Sequence, residues 1–570
     1  MEYPQHKASQ ACGACKKQKR KCDKLLPQCG RCLRISRPCD YADTPKPPST
    51  AADLESLQAR LTELEHRLSG ASEPDSLSAT GSVSRSSSLA TESSTPSRGP
   101  NSFPSALFLD IDCYKWSHMQ LPSPAASIPM DILSILNQGN SILETSTLFF
   151  DTIHQWMPII SKKRLELGIS LKDGRPEIAL LFLTMKLNTS PPPAGNKFDP
   201  IYSAAKSFMV TLEASGVVSL ISLQAMTLMA VYEYSHSIYP AAWMTVGACA
   251  RLAELLGVSP GKDSMKIMSP AVSLEIVKNG TGKIFTEYLQ QTTWTELEEK
   301  RRVWWAIYVL DRIISLGSRR RFCLPDPADT DVIPVDDDAW DLGDVAHIVH
   351  YPVTTPLSTP VSPFSRLCQS AIFISRAAIC RSDSQTEVAH HIAAVASLTE
   401  DLNTFSFILA EEMTPLSPTR YLRLLAPQCL TWSALFLLLD NYCCPEKLSD
   451  EPGYILSADV KGQDEVVTQV QATLVVRNIS DRAHGLTANL MNIVSHLPCN
   501  DQLGTISPFL LDALYCVMVT FQWIFREGGD EQAKARLADI EACMGRLSER
   551  WMLAAEYLAL SGIYRQAGNT

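Results

Sequence analysis

Beyond residue 106, apolar positions recur three and four apart for most of the chain, broken by proline-rich stretches such as Ser190–Ala194 and Pro352–Pro363. That period predicts helices joined by loops, with no alternation of strands and helices and no internal repeat. The stripe Leu537, Ile540, Met544, Leu547, Trp551, Ala554 and Leu558 predicts one helix with one buried face. Upstream, leucines at 54, 57, 61, 64 and 68 alternate steps of three and four, the a/d spacing of a coiled-coil seam. Arg60 and Glu65 fall at g and the following e, where they pair across a parallel dimer. Leu54, Leu57, Leu61, Leu64 and Leu68 equally fit one amphipathic helix docked on its own body, since fewer than three heptads make a weak coiled coil. Between these regions, residues 71–105 hold thirteen Ser in thirty-five positions. So little apolar surface cannot offset the entropy of ordering, and a disordered linker is expected.

Five segments follow: a Cys-rich head (1–45), a proline connector (46–53), a short coiled coil (54–70), the Ser-rich linker (71–105) and a large all-α domain (106–570). The 570 residues are 45% hydrophobic with 10 Trp, enough for a substantial core. No run of eighteen uncharged apolar residues occurs and the N-terminus is polar and cationic, so neither a membrane span nor export is expected. The net charge of -10 conceals an asymmetry: residues 1–50 carry eleven Lys/Arg against four Asp/Glu, a formal +7, which leaves -17 beyond them. A body of that sign repels polyanions, so nucleic-acid contact belongs to the head.

Six of the seventeen cysteines crowd into that head as Cys12-x2-Cys15-x6-Cys22-x6-Cys29-x2-Cys32-x6-Cys39, two copies of one half-motif around a loop containing Pro27. In a reducing compartment such clustering points to metal rather than disulfides. Each Cys-x-x-Cys brings two thiolates to one ion, and the third Cys of each half returns at the far end of a short helix. Six ligands cannot fill two separate tetrahedra, so two Zn²⁺ require two bridging sulfurs. Six thiolates and two Zn²⁺ sum to -2, which the surrounding cations offset. Lys16, Lys17, Gln18, Lys19, Arg20 and Lys21 place five cations in six positions on what should be a helix held at both ends by zinc.

The spacing, the basic run and the loop proline resemble the zinc binuclear cluster (Zn₂Cys₆) family of fungal transcription regulators. The resemblance implies that Cys12 and Cys29 bridge the two Zn²⁺, that Cys15 and Cys22 complete one site, and that Cys32 and Cys39 complete the other. It also implies that the basic helix enters the major groove of double-stranded DNA and reads a CGG triplet through Lys19, the Lys three residues before the third Cys. Lys16, Lys21, Arg31 and Arg34 are better placed as phosphate contacts. Gln18 stands where the family commonly has Arg. Paired clusters imply a homodimer on two triplets, a nuclear location, contact with the RNA polymerase II transcription machinery, and control of metabolic or secondary-metabolite genes.

Two stretches of the body resemble the middle homology region of fungal transcription factors: Phe149–Pro158, and Glu298–Arg312 followed by Gly317 and the acidic Pro325–Asp338 segment. Ala250–Gly257 is a weaker echo. These imply a helical regulatory domain and leave room for a small-molecule effector of unknown identity. Core packing is expected for Val303, Trp304, Ile307 and Leu310 in preference to an effector pocket lined by Trp304 and Trp305, with Arg301, Arg302, Asp311 and Arg312 paired within or between helices. No catalytic signature emerges: Gly280-Thr-Gly-Lys283 lacks phosphate-loop spacing, Cys443 and Cys444 diverge on a helix, and His154 reads as a core or rim residue. The expectation is therefore a regulator and not an enzyme. An enzyme with a structural zinc head, or an interaction scaffold that binds no DNA, are the alternatives.

Overall fold

The computed structural model describes residues 11–17, 21–34 and 39 near the N-terminus and, in the remainder, 109–110, 112–113 and 126–567 apart from 140, 167–174, 193–198, 259, 261–293, 318–319, 345–347, 383–387, 415–416, 444–462 and 497–499. The connector, the leucine heptads Leu54–Leu68, the Ser-rich stretch and Gly280–Lys283 lie outside the described residues. Two units separate, residues 1–95 and 96–570.

The first unit contains two single-turn helices, α1 (Gly13–Lys17) and α2 (Gly30–Arg34). The second is helical throughout, and among its described residues β pairing is limited to an isolated bridge between Val332 and Pro352. Its helices are α3 (Met130–Asn137), α4 (Ile142–Asp151), α5 (Lys162–Glu166), α6 (Pro176–Thr189), α7 (Pro200–Ala214), α8 (Leu220–Ser235), α9 (Ala241–Leu255), α10 (Trp294–Leu316), α11 (Asp337–Leu342), α12 (Pro363–Ser382), α13 (Val388–Glu412), α14 (Pro418–Cys443), α15 (Gln463–Ser495), α16 (Leu511–Gly528), α17 (Glu531–Leu547) and α18 (Met552–Ala567).

Helix starts follow local chemistry. Ser141 and Glu144 form a reciprocal capping box on α4. Asp199 accepts from the Ile201 amide at the head of α7, with Pro200 supplying a preset φ at the first helical position. Asp336 caps α11, which Gly343 ends in the left-handed region at φ 62°.

α6 and α8 lie at the centre. All fourteen residues of α6 are buried, as is α8 from Ile221 onward, so neither needs a polar face. Their polar side chains bond inward. The Asn188 amide donates to the Thr184 and Leu228 carbonyls (2.9 and 3.0 Å), and Glu233 accepts from Tyr202 (2.9 Å) and Lys206 (2.7 Å).

α10 is buried on every side, and its charges explain the acidic segment after it. Arg302, fully buried, bonds Glu298 (3.0 Å), Asp337 (2.9 Å) and the Val335 carbonyl (2.8 Å), with its guanidinium 4.2 Å from the Trp340 ring. Arg312 pairs with Asp311 (2.7 Å) and Asp326 (2.9 Å), and Asp326 also accepts from Tyr308 and Ser375. Pro325–Asp338 thus wraps α10 by ion pairing, and loss of one partner would leave an uncompensated buried charge at a cost of about 3–5 kcal/mol. Trp304 and Trp305 pack in the core, the Trp305 indole donating to the Val332 carbonyl at 3.0 Å. His154 is a core residue, 2% exposed, bonded to Asp341 at 3.0 Å and stacked on Trp340.

Two expectations are corrected. The stripe Leu537–Leu558 spans two helices, because the chain leaves helical geometry after α17 and resumes at Met552. At the break Arg550 reaches the Asn188 and Ser190 carbonyls at the C-terminal end of α6, and the Trp551 indole donates to the Ile506 carbonyl at 3.0 Å. Tertiary contacts at the bend replace helical bonds. Among the described residues, three helices are also long and apolar enough to cross a membrane by length and composition, namely Val388–Glu412, Pro418–Cys443 and Pro508–Gly528. Scanning for uncharged runs missed them, since charges interrupt each. Of their most apolar windows, 33%, 83% and 56% are buried inside the protein.

His236, at the end of α8, bonds the Tyr232 carbonyl through Nδ1 (3.0 Å) and stacks on the Tyr232 ring. Burial, aided by the nearby Arg550 guanidinium, holds its pKa at about 3 against an ordinary 6.5. The folded state thus excludes a proton that the unfolded chain takes up below pH 6.5. Stability is full above that value and falls as the pH drops toward 3, by up to about 1.4 kcal/mol per pH unit. Thermal unfolding between pH 7 and 5 should show a falling midpoint that His236→Gln makes flatter, and equal slopes in the two proteins would show that His236 accepts the proton in place.

Candidate metal centre and DNA-binding head

Cys12 and Cys29 stand immediately before α1 and α2 in equivalent positions. Their carbonyls accept from the Lys16 and Leu33 amides, both at 3.0 Å. Their sulfurs are 3.7 Å apart, Cys32 Sγ is 3.7 Å from Cys12 Sγ, and Cys15 Sγ is 3.8 Å from Cys29 Sγ. All four sulfurs are buried and lie within 4.8 Å of one another. A regular tetrahedron with Zn–S bonds of about 2.3 Å has S···S edges of about 3.8 Å, so these separations fit zinc.

The remaining cysteines approach Cys29. Cys22, Asp23 and Cys29 form a second group within 4.8 Å. Cys39 Sγ accepts from the Cys29 amide at 3.3 Å and also interacts with Cys12. Cys29 therefore belongs to both groups.

Protonation separates the thiols in the same way. At Cys12 and Cys29 burial opposes ionisation, but hydrogen bonds from the Cys15 and Cys32 amides and from neighbouring thiols outweigh it and the pKa falls. Cys15 is pushed up to about 12 by burial and by its bonds to Cys12 and Cys29, and Cys32 is raised by its bond to Cys29 and by burial. A bound dication reverses the second effect and draws all of them to thiolate.

Asp23 is a residue the sequence reading missed. Its carboxylate accepts from the Gly30 amide at 3.1 and 2.9 Å, closing the Pro27 loop onto the start of α2. A Cβ at position 30 would lie 2.5 Å from that carboxylate, so any larger residue there would displace Asp23 from the amide. The signal available was an Asp directly after the third Cys and a Gly directly after the fourth.

Among the cationic candidates, Lys16, Lys21 and Arg34 are exposed and Arg31 is half-buried. Arg34 Nε donates to the Gly30 carbonyl at 3.2 Å, which steadies it along α2. Lys17 closes α1, while Gln18, Lys19 and Arg20 lie outside the described residues. Of the helix expected between Cys15 and Cys22, the described residues show α1 over Gly13–Lys17 and a non-helical stretch at 21–24. Cys22 reaches the cluster from a non-helical segment.

The comparisons agree with this geometry. Residues 10–48 match the fungal Zn(2)-Cys(6) binuclear cluster domain, and residues 147–433 match the fungal specific transcription factor domain. The chain belongs to this family of fungal Zn₂Cys₆ transcription factors, whose head domain binds two zinc ions and DNA. Over 160 residues it is 39% identical to Transcription factor BOA15 of Botryotinia fuckeliana, covering 27% of this chain and 86% of that protein. It is 27% identical over 356 residues to the Depudecin biosynthesis cluster-specific transcription activator DEP6 of Fusarium langsethiae, covering 54% of this chain and 56% of that one. It is 30% identical over 205 residues to the Pigment biosynthesis transcriptional activator pigB of Monascus ruber, covering 34% of each. The chain thus spans about half or less of the length of the last two.

With so little hydrocarbon around the thiols, metal should supply most of the folding free energy of the head, at about 10–16 kcal/mol per structural zinc. A fragment of residues 1–45 should show a disordered circular dichroism spectrum that becomes structured as zinc is added, saturating at two ions by native mass spectrometry. A spectrum indifferent to zinc, or saturation at one ion, would contradict the binuclear arrangement.

Proposed function

We propose that this chain is a nuclear, sequence-specific regulator of a metabolic or secondary-metabolite gene cluster, binding CGG-like triplets as a homodimer. The observation that carries the reading is the sulfur cluster in which Cys29 belongs to two ligand groups. In this reading Cys12 and Cys29 bridge the two Zn²⁺, Cys15 and Cys22 complete one tetrahedron, and Cys32 and Cys39 complete the other. The metals fix the basic segment so that Lys19 donates to N7 and O6 of guanine while Lys16, Lys21, Arg31 and Arg34 engage phosphates. Gln18 retains hydrogen-bonding capacity without charge, so it lowers backbone affinity and leaves the half-site unchanged.

Relatives whose names record control of depudecin and pigment biosynthesis support the gene-cluster assignment. Leu54–Leu68 joins two heads, residues 46–53 set their separation, residues 71–105 tether them to the large unit, and that unit serves regulation and contact with the transcription machinery. The transcription-factor family favours this over an enzyme or a scaffold that binds no DNA.

Gel-shift titrations at fixed salt separate the roles. Lys19→Ala should weaken a CGG-containing duplex by about ten- to a hundredfold, as expected for loss of a direct base contact, with far less effect on random DNA. Lys16→Ala should weaken both alike. Equal losses on the two duplexes for both variants would remove Lys19 from the readout.

Sedimentation of residues 1–75 tests the dimer. A dimer that Leu61→Glu dissociates is expected, and a monomer at high concentration would exclude the seam.

A further inference from the structure

One face of the large unit carries chemistry that the DNA-binding head does not use. Along α9, Met244, Gly247 and Arg251 stand three and four residues apart, with Trp243 adjacent to Met244 and Tyr239 just before the helix. The segment 320–323 runs beside them. The Arg320 guanidinium lies 4.7 Å from the Trp243 ring and 5.3 Å from the Tyr239 ring. A Cβ on Gly247 would lie 3.8 Å from Cys323 Sγ, and Arg251 is close enough to act electrostatically on that thiol. The two elements therefore form one continuous surface.

Two features mark it together, although Arg376, Arg420 and Arg477 are likewise exposed without a carboxylate partner among the described residues. Arg302, Arg312, Arg366, Arg381 and Arg423 each have a carboxylate partner. Arg251, Arg320 and Arg321 are exposed and have no carboxylate partner among the described residues, although the chain beyond residue 50 is formally -17. Beside them Tyr239 and Met244 are 55% and 60% exposed, and the Trp243 indole N–H is buried without a hydrogen-bond partner among the described residues. Tyr, Trp, Met and Arg are the residues enriched at the cores of protein interfaces.

We propose that this face docks an acidic peptide segment of a partner protein. Carboxylates of the peptide pair with Arg251, Arg320 and Arg321, and an apolar side chain packs on Tyr239, Trp243 and Met244. Charge complementarity favours an acidic occupant, since three cations without carboxylate partners among the described residues attract carboxylates and orient them through planar guanidinium forks. A second copy of this acidic body would bring mainly repulsion. Duplex DNA would use the arginines but leave the apolar half idle.

The test uses the full-length, zinc-loaded chain and a short fluorescein-labelled peptide of Asp and Glu with a central Phe-Leu pair, followed by anisotropy at near-physiological salt. Saturable binding is expected. It should weaken at least about tenfold in the double variant Arg320→Glu/Arg321→Glu and, separately, in Met244→Glu, with melting temperatures unchanged because all three side chains are exposed. The same peptide with Asn and Gln replacing Asp and Glu should bind at least about tenfold more weakly. Absence of saturable binding, equal binding of the amide peptide, or unchanged affinity in both variants would overturn the proposal, the last assigning the peptide to the basic head. Tighter binding of random duplex that the double variant abolishes would assign the face to DNA, and a mass doubling lost in that variant would assign it to a second copy. Either result replaces the peptide.

Discussion

Between Cys12 and Cys39 there is almost no hydrocarbon to bury among the described residues. Cys12, Cys15, Cys29 and Cys32 make up the buried set, and Ala14 is the partly buried aliphatic side chain packed beside it. A unit of this size cannot be held by the hydrophobic effect, so the metal–thiolate bonds must do it. The sulfur positions already lie at tetrahedral spacing, and the two cysteines that precede the two helices are the ones whose thiols ionise most readily. Everything the head does with DNA depends on this constraint, because five cations in six positions repel one another unless a scaffold fixes them.

The large unit solves the opposite problem. Hydrocarbon is abundant there, and specificity of packing comes from charge. Arg302 and Arg312 draw the acidic Pro325–Asp338 segment around α10, Arg366 pairs with Glu412 and holds the Leu357 and Thr359 carbonyls of the proline-rich loop, and Arg550 ties the C-terminal helices to the end of α6. Arg302, Arg366 and Arg550 join segments 35, 46 and 362 residues apart, and Arg312 holds the nearer Asp326. Apolar side chains would fill the same space without selecting these partners, whereas an unpaired guanidinium at any of these sites would be strongly destabilising. Exposed cations without carboxylate partners among the described residues, those around Arg320 included, are not used in this packing.

The division of labour between the units follows from electrostatics. A positive head bound to DNA through counterion release is kept distinct from a negative body that DNA repels. Cation-rich and anion-rich sequence are segregated along the chain, and the Ser-rich stretch lies between them.

Spacing alone determined the metal chemistry, because ligand number and a short reach between paired thiols are one-dimensional properties of the chain. Period alone determined that the body is helical, and it identified Val303, Trp304, Ile307 and Leu310 as core. What the linear pattern could not contain is which residues meet across hundreds of positions. The bend at Arg550 and Trp551 continues the apolar stripe while breaking the helix, because carbonyls at 188, 190 and 506 supply the bonds that a helix would otherwise make. His154 against Asp341 and the pairing of Asp326 and Asp337 with arginines of α10 were equally beyond it. Periodicity reports the face a residue presents, and only the folded chain reports its neighbour.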